Sequence, residues 1–185
     1  VRHRDVIREY LTYHFFPYYT FDLKESLNMF VCGRYEYKNK GIDVMIYALG
    51  KLNERLQKEQ SKKTVCVFFW IPQRTYGIKK ELLESKNIYK HVKQHIDTKA
   101  KDILTRLTED IIAQNEINKD AFMSKEFDMD IRKEMMTFKR KGTPSIATHY
   151  IDDEGRDQIK TALMQAGLDN MPHDRVKVIL YPVYL

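Results

Sequence analysis

The sequence predicts an α/β fold in which a small parallel sheet is interrupted by a long helical insertion. Two nearly continuous apolar runs, 27–33 and 64–71, flank a segment whose apolar residues recur at helical spacing. A third apolar run, 175–181, follows a short amphipathic segment near the end of the sequence. Apolar strands that alternate with helices are typical of parallel sheets whose two faces are both covered.

The first unit of this fold lies between residues 27 and 71. The run that ends in Gly33 predicts a buried parallel strand, and the run that Pro72 stops predicts a second one. Between them, residues 42–57 carry an apolar helical face: Met45, Leu49, Leu52 and Leu56. Strand, helix and strand in this order predict a right-handed βαβ unit.

The end of the sequence repeats this pattern. Residues 157–166 predict a short helix that Gly167 ends, and the strand at 175–181 is stopped by Pro182. Three strands and two crossover helices make half of a Rossmann-like sheet. We therefore divide the chain into four parts: a lead-in segment with a short helical pattern and an aromatic cluster (1–26), the first strand–helix–strand unit (27–78), a helical insertion (79–140) and the return to the sheet (141–185).

The insertion is strongly charged and has neither proline nor glycine from residue 79 to 139. Its apolar residues recur at steps of three, four and seven, which predicts one long amphipathic helix, followed by a second helix over 130–140. The stripe consists of Val92, Ile96, Ile103, Leu107 and Ile111. Two interpretations stay open: a hairpin that packs on its own sheet, or a contact between protomers. Some 60 helical residues are far more than an ordinary α/β connection needs.

Composition narrows the class of protein. The net charge of +6 comes from 32 basic and 26 acidic residues, and the charges are scattered rather than gathered into a basic arm, so we expect no nucleic-acid partner. No apolar stretch approaches the roughly 20 residues of a membrane span, so we expect no membrane contact. Cys32 and Cys66 lie in strand-like runs, which predicts buried free thiols, no metal site and a cytoplasmic location.

The loop between the first strand and the first helix carries the candidate chemistry. In open α/β sheets, ligands bind at the carboxyl ends of strands. This loop presents Arg34 and Lys40 there, beside the positive end of the following helix, an arrangement that suits a diphosphate. Gly33 and Gly41 would allow tight turns and close backbone approach, and Glu36 would hold Arg34 or Lys38. A lysine-rich exposed turn without a ligand is the alternative. The loop reads Gly33-Arg34-Tyr35-Glu36-Tyr37-Lys38-Asn39-Lys40-Gly41.

This loop, continued by residues 42–43 and 48–53, resembles the corresponding segment of animal and fungal glycogen synthases. The resemblance continues at 71–72, 147–153 and 174–179, in the family's order and at about its spacing. It covers most of the chain, although only the pattern matches within the insertion. The last residues, Tyr181-Pro182-Val183-Tyr184-Leu185, depart from the family's usual His-Pro-Glu-Phe-Leu.

The resemblance implies a specific function. The family folds as two Rossmann-like lobes (the GT-B architecture), and this chain would begin the C-terminal lobe. The family's enzymes move glucose from UDP-glucose to the non-reducing end of glycogen, forming an α-1,4 linkage with retention and without a metal or other cofactor. Their phosphate-binding arginine and lysine correspond to Arg34 and Lys40. The resemblance also implies a tetramer assembled through inserted helices, and glycogenin as a partner.

The sequence offers no convincing catalytic carboxylate. Glu126 and Glu134 have the spacing of the carboxylate pair found in retaining GT-B enzymes, but they lie in the charged insertion without the expected glycine and proline context. His149 is more typical of a structural or capping residue. Because the sequence starts at Val1 without a methionine, we expect an internal piece of a longer enzyme, inactive by itself. Another retaining GT-B transferase, or a non-catalytic assembly module, is the alternative.

Overall fold

The structure is a computed structural model that describes residues 2–115 and 125–184. The described residues fall into two compact units, one within 1–83 and 141–185 and the other within 84–140. The helices are α1 (Arg2–Phe15), α2 (Ile42–Lys58), α3 (Lys80–Ala113), α4 (Lys125–Phe138) and α5 (Gln158–Gln165). The strands are β1 (Ser26–Cys32), β2 (Thr64–Trp70), β3 (Thr75–Ile78), β4 (His149–Ile151) and β5 (Val176–Tyr181).

The main sheet is parallel and has the order β1-β2-β5, which confirms the predicted βαβ arrangement. Ser26 pairs with Thr64 at one end of β1 and Cys32 with Trp70 at the other. Residues 146–148 cover the outer edge of β5. The Thr148 N–H donates to the Leu180 carbonyl, and the Leu180 N–H donates to the Ile146 carbonyl. The central strand β2 is buried along nearly its whole length.

The two faces of the sheet are covered by different helices. Apolar residues of α2 and α5 pack on one face, and the buried members contributed by the helices are Ile42, Ile46, Leu49, Ile159 and Leu163. On the other face, Leu11 and Phe15 of α1 contact Cys66, Phe68 and Ile179. The segment predicted only as a lead-in therefore supplies the second layer of the core.

Two predictions about burial are wrong. The strand β1 is half-exposed rather than buried: the exposed fraction is 59% for Leu27 and 49% for Phe30. Cys32 at its end is exposed as well, whereas Cys66 is buried as predicted, and both thiols are free. The reason is position, because β1 is the edge strand of the described sheet and has a neighbour on one side only.

A second, antiparallel sheet of β3 and β4 was not predicted, since strands of three or four residues are too short to show a period. Next to it, Asp152 lies 3.7 Å from Arg74 in an ion pair, and Asp153 has a φ of 49°. Neither residue caps the following helix. The N-cap of α5 is Asp157, whose side chain accepts a hydrogen bond from the Lys160 N–H.

The second unit is a pair of helices. α3 has 34 residues and is therefore about 51 Å long. The Arg140 guanidinium lies 2.7 Å from Glu84, and the His95 ring lies 3.9 Å from Glu134, so the end of α4 lies beside the start of α3. These two pairs show that the two helices of this unit are antiparallel. The second helix begins five residues earlier than predicted.

A buried asparagine joins α2 to β5. The Asn53 side-chain oxygen accepts hydrogen bonds from the backbone N–H groups of Arg175 and Val176, at 2.8 and 3.0 Å. Its amide nitrogen donates to the Asp174 carboxylate and to the Gly167 carbonyl. Asn53 is only 4% exposed, so water cannot replace these partners.

We expect Asn53→Ala to lower the free energy of unfolding by about 2–4 kcal/mol, because several buried polar groups lose their hydrogen-bond partner at once. Urea unfolding of the purified chain measures the loss. The matched control is Glu54→Ala, which removes an exposed neighbour whose surface ion pair with Lys51 contributes little to stability because solvent screens it. Equal losses for the two variants would contradict the assigned role of Asn53.

His14 predicts a pH dependence of stability. It is buried in α1 against Tyr10 and Phe15, and burial lowers its pKa to about 4. Below pH 6.5, His14 is protonated in the unfolded chain but stays neutral in the folded chain. The free energy of unfolding therefore falls as the pH falls from about 6.5 to about 4. The full effect is about 3 kcal/mol. Unfolding measured between pH 4.5 and 7 should show a shallower slope for His14→Phe. The exposed His173→Gln control should keep the original slope, and an unchanged slope in His14→Phe would contradict the assignment.

Candidate functional site

The carboxyl ends of the three parallel strands meet at one edge of the sheet. The Gly33 N–H donates to the Trp70 carbonyl over 3.3 Å, and the Ile71 N–H donates to the Tyr181 carbonyl over 3.3 Å. The loop 33–41 leaves β1 at this edge. The fold therefore puts the predicted loop where ligands of open α/β sheets bind.

Backbone hydrogen bonds make the loop compact. The Glu36 N–H donates to the Arg34 carbonyl at 2.8 Å, and the Lys40 N–H donates to the Glu36 carbonyl at 3.0 Å. These bonds draw the chain back on itself between the two predicted phosphate-binding cations. Both side chains are exposed, and within residues 2–115 and 125–184 neither has a hydrogen-bond or ion-pair partner. Glu36 likewise forms no ion pair there with Arg34 or Lys38, contrary to expectation.

The two glycines of the loop differ in whether their backbone conformation favours glycine. Gly41 has a φ of 64°, precedes α2 as its N-cap and has open space where a Cβ would lie, so its requirement is conformational. Gly33 has no positive φ, and a Cβ there would meet nothing within 4 Å. The expected tight turn is therefore found at Gly41 and not at Gly33.

The first backbone N–H groups of α2 already have partners. Those of Ile42 and Asp43 both donate to the Tyr37 carbonyl, at 3.1 and 3.4 Å. The Val44 N–H donates to the Asp43 carboxylate. An anion at this edge would therefore be met by the side chains of the loop rather than by the helix backbone.

A side-chain contact that no sequence pattern predicts connects the loop to α5. The Tyr35 hydroxyl donates to one Asp157 carboxylate oxygen at 2.9 Å and accepts a hydrogen bond from the Gln158 N–H at 3.1 Å. The other carboxylate oxygen accepts from the Lys160 N–H. Burial and the adjacent Asp157 charge raise the pKa of Tyr35 to about 12, so the hydroxyl keeps its proton. No sequence signal links two residues 122 positions apart.

A cleft of about 740 Å³ opens between the turn of the loop and α5. Its lining includes Lys38, Asn39, Arg156 and Gln158, but not Arg34 or Lys40. A second cleft, of about 670 Å³, lies beside Asn53 and Asp174, next to the start of β5. That position is the amino edge of the sheet, opposite to the edge that binds ligands in open α/β folds.

The predicted stripe of the insertion is partly exposed. In the second unit, Val92, Ile103 and Leu107 are half-buried, whereas the exposed fraction is 43% for Ile96 and 57% for Ile111. Leu104 and Ile112 on the same helix are exposed at 61% and 77%. α3 therefore presents more apolar surface than its sequence pattern indicated.

The remaining polar candidates have ordinary structural contacts. The His149 ring contacts the Tyr181 ring edge-on, with Nδ1 at 2.8 Å from the Thr148 hydroxyl. Glu134 contacts His95 within the helix pair, and the side chain of Glu126 lies outside the described residues. Over the described part of the chain, no three His, Cys, Asp or Glu side chains are arranged to hold a metal ion. In that same part, no helix combines the length and apolar character that crossing a membrane requires.

Comparison with known proteins identifies the family. Residues 1–185 match the family model described as glycogen synthase. The chain belongs to the glycogen synthase family. It is 32% identical to glycogen (starch) synthase isoform 1 of Saccharomyces cerevisiae over 98% of its own length and 27% of that protein. It is 30% identical to glycogen (starch) synthase of Neurospora crassa, over 100% of the chain and 27% of that protein.

An animal relative gives the same result. The liver glycogen (starch) synthase of Mus musculus is 28% identical over 97% of the chain and 25% of that protein. The chain thus spans about a quarter of the length of the curated relatives that it matches.

Proposed function

We propose that the chain is the first part of the nucleotide-sugar-binding lobe of a glycogen synthase with GT-B architecture. The whole protein would move glucose from UDP-glucose to the non-reducing end of glycogen with retention, forming α-1,4 links without a metal or other cofactor. Glycogen as acceptor, glycogenin as partner and a cytoplasmic location belong to the same proposal. The exposed free thiol of Cys32 supports a reducing compartment.

The observation that carries this proposal is the loop 33–41 at the carboxyl edge of the sheet. It presents two exposed cations whose charges no described side chain neutralises. An exposed cation stays hydrated and therefore costs little free energy, and it is accessible to an incoming anion. A glycosyltransferase that uses no metal needs such cations, because negative charge grows on the departing UDP in the transition state.

The two cations would have different roles. The Arg34 guanidinium is planar and can donate two parallel hydrogen bonds to one phosphate. The Lys40 ammonium is a compact point charge that suits the second phosphate. Since the first N–H groups of α2 are occupied by Tyr37 and Asp43, we assign the diphosphate to these two side chains, with the helix contributing only its dipole.

Replacing either cation in the complete enzyme should slow glucosyl transfer strongly. We expect Arg34→Ala or Lys40→Ala to cost about 2–4 kcal/mol of transition-state stabilisation, which is about 30- to 1000-fold in kcat/KM. The assay is transfer from labelled UDP-glucose to glycogen, with thermal unfolding as a check on the fold.

The matched control for charge is Lys62→Ala, since Lys62 is exposed just before β2, at the opposite edge of the sheet. A near-normal rate for a folded Arg34→Ala enzyme would remove the phosphate-binding assignment.

Assays of the unmodified complete enzyme distinguish the alternatives. If it does not transfer glucose to glycogen but hydrolyses UDP-glucose or transfers glucose to another acceptor, a different retaining GT-B enzyme is favoured. UDP-glucose that neither binds nor reacts would favour the non-catalytic assembly module.

We also propose that α3 contributes to a tetramer. The exposed apolar side chains Ile96, Leu104, Ile111 and Ile112 support this assignment, because apolar surface costs about 25 cal/mol per Å² when it stays in contact with water. The rest of α3 is rich in charged residues, as a helix that is otherwise solvated should be. A second protomer would cover the stripe.

We expect Ile103→Glu combined with Leu107→Glu to lower the oligomeric mass of the complete enzyme while UDP binding is retained. Because both positions are half-buried, Ile111→Glu at the more exposed end of the stripe tests the same surface with less risk to the helix pair. Light scattering gives the mass. Thr105→Glu with Thr108→Glu is the control, since it adds the same charge at exposed positions of α3. An unchanged mass in both stripe variants would contradict the proposed contact between protomers.

A further inference from the structure

The loop 33–41 has one side-chain hydrogen-bond anchor in the described structure, and it is Tyr35. The other hydrogen bonds of the loop are between backbone groups. Arg34 therefore lies between two fixed points. On one side the Gly33 N–H is bonded to Trp70 of β2, and on the other side the Tyr35 hydroxyl is bonded to Asp157.

The Tyr35 anchor is well suited to hold position. Its ring packs against the apolar core beneath α2 and α5, and its hydroxyl is both donor and acceptor at the first turn of α5. Asp157 is 6% exposed and uses one oxygen for Tyr35 and the other for the Lys160 N–H. The contact therefore joins the loop to a helix start whose Gln158 and Lys160 N–H groups both have side-chain acceptors.

We propose that Tyr35 is a positioning residue for the Arg34 guanidinium, and that the N-cap of α5 sets the position of the phosphate-binding loop. The inference rests on the proposed function of Arg34 and deepens it. A side chain that carries charge stabilisation must be placed to within about half an ångström, and a misplacement of about 1 Å can cost about a hundredfold in rate. Tyr35 provides that placement, since Arg34 itself is exposed and unpaired among the described residues.

The first test is Tyr35→Phe in the complete enzyme, which removes the hydroxyl and keeps the ring. We expect kcat/KM for UDP-glucose to fall about 5- to 50-fold. The matched control is Tyr19→Phe, because the Tyr19 hydroxyl donates a similar interior hydrogen bond, to the Asn170 carbonyl at 2.7 Å, on the α1 face of the sheet. If Tyr35→Phe lowers the rate no more than Tyr19→Phe at equal loss of stability, the hydroxyl is merely structural and the inference fails.

The second test separates the link to Tyr35 from the capping of α5. Serine caps helices about as well as aspartate, but its shorter side chain cannot satisfy Lys160 and Tyr35 together. Asp157→Ser should therefore keep the stability of α5 and reproduce the rate loss of Tyr35→Phe. An Asp157→Ser enzyme with normal kcat/KM would overturn the proposed link.

The third test asks whether Tyr35 acts through Arg34. On an Arg34→Ala background, Tyr35→Phe should cause no further loss, because the group that it positions is absent. An additional loss equal to that in the unmodified enzyme would show that Tyr35 acts elsewhere. If Arg34→Ala itself has normal activity, the proposed function of the loop fails, an outcome distinct from failure of the positioning role.

Discussion

The structure depends first on the central position of β2. This strand pairs in parallel with β1 on one side and with β5 on the other, so the hydrogen bonds of both strand pairs depend on it. Burial on both faces explains its apolar sequence. Since all three strands run the same way, their carboxyl ends meet at one edge. The proposed phosphate-binding role of the loop 33–41 and the proposed positioning role of Tyr35 both start from that edge.

Polar residues then fix the helices against this sheet. Asn53 joins the end of α2 to the start of β5 through bonds to two consecutive N–H groups. Gly50 allows close approach on the same helix, because a Cβ there would lie 3.0 Å from the Ala166 carbonyl oxygen. The contacts fix α2 near its C-terminal end, and its N-terminal end carries the loop. The loop that carries the exposed cations therefore runs between β1 and a helix that is packed closely against its neighbours.

The candidate site combines fixed backbone with free charge. Tyr35, Tyr37 and the backbone turn are held by hydrogen bonds or core packing, whereas Arg34 and Lys40 extend from that frame without described partners. This division suits the proposed phosphate-binding role, because the fold orders the backbone of the loop before a ligand arrives. In the second unit, exposed apolar residues along α3 leave a surface of the kind that protomers cover.

The sequence by itself determined the parallel strands, the crossover helices, the helical insertion and the position of the loop at a strand end. These follow from local apolar periodicity and from turn residues such as Gly33 and Pro72, which the chain carries in order. Tertiary structure decided that α1 covers the second face, that β1 is an exposed edge and that β3 pairs with β4. It also decided that Asp157, the N-cap of α5, holds the Tyr35 hydroxyl. Each of these depends on contacts between residues far apart in the chain, which no local pattern encodes.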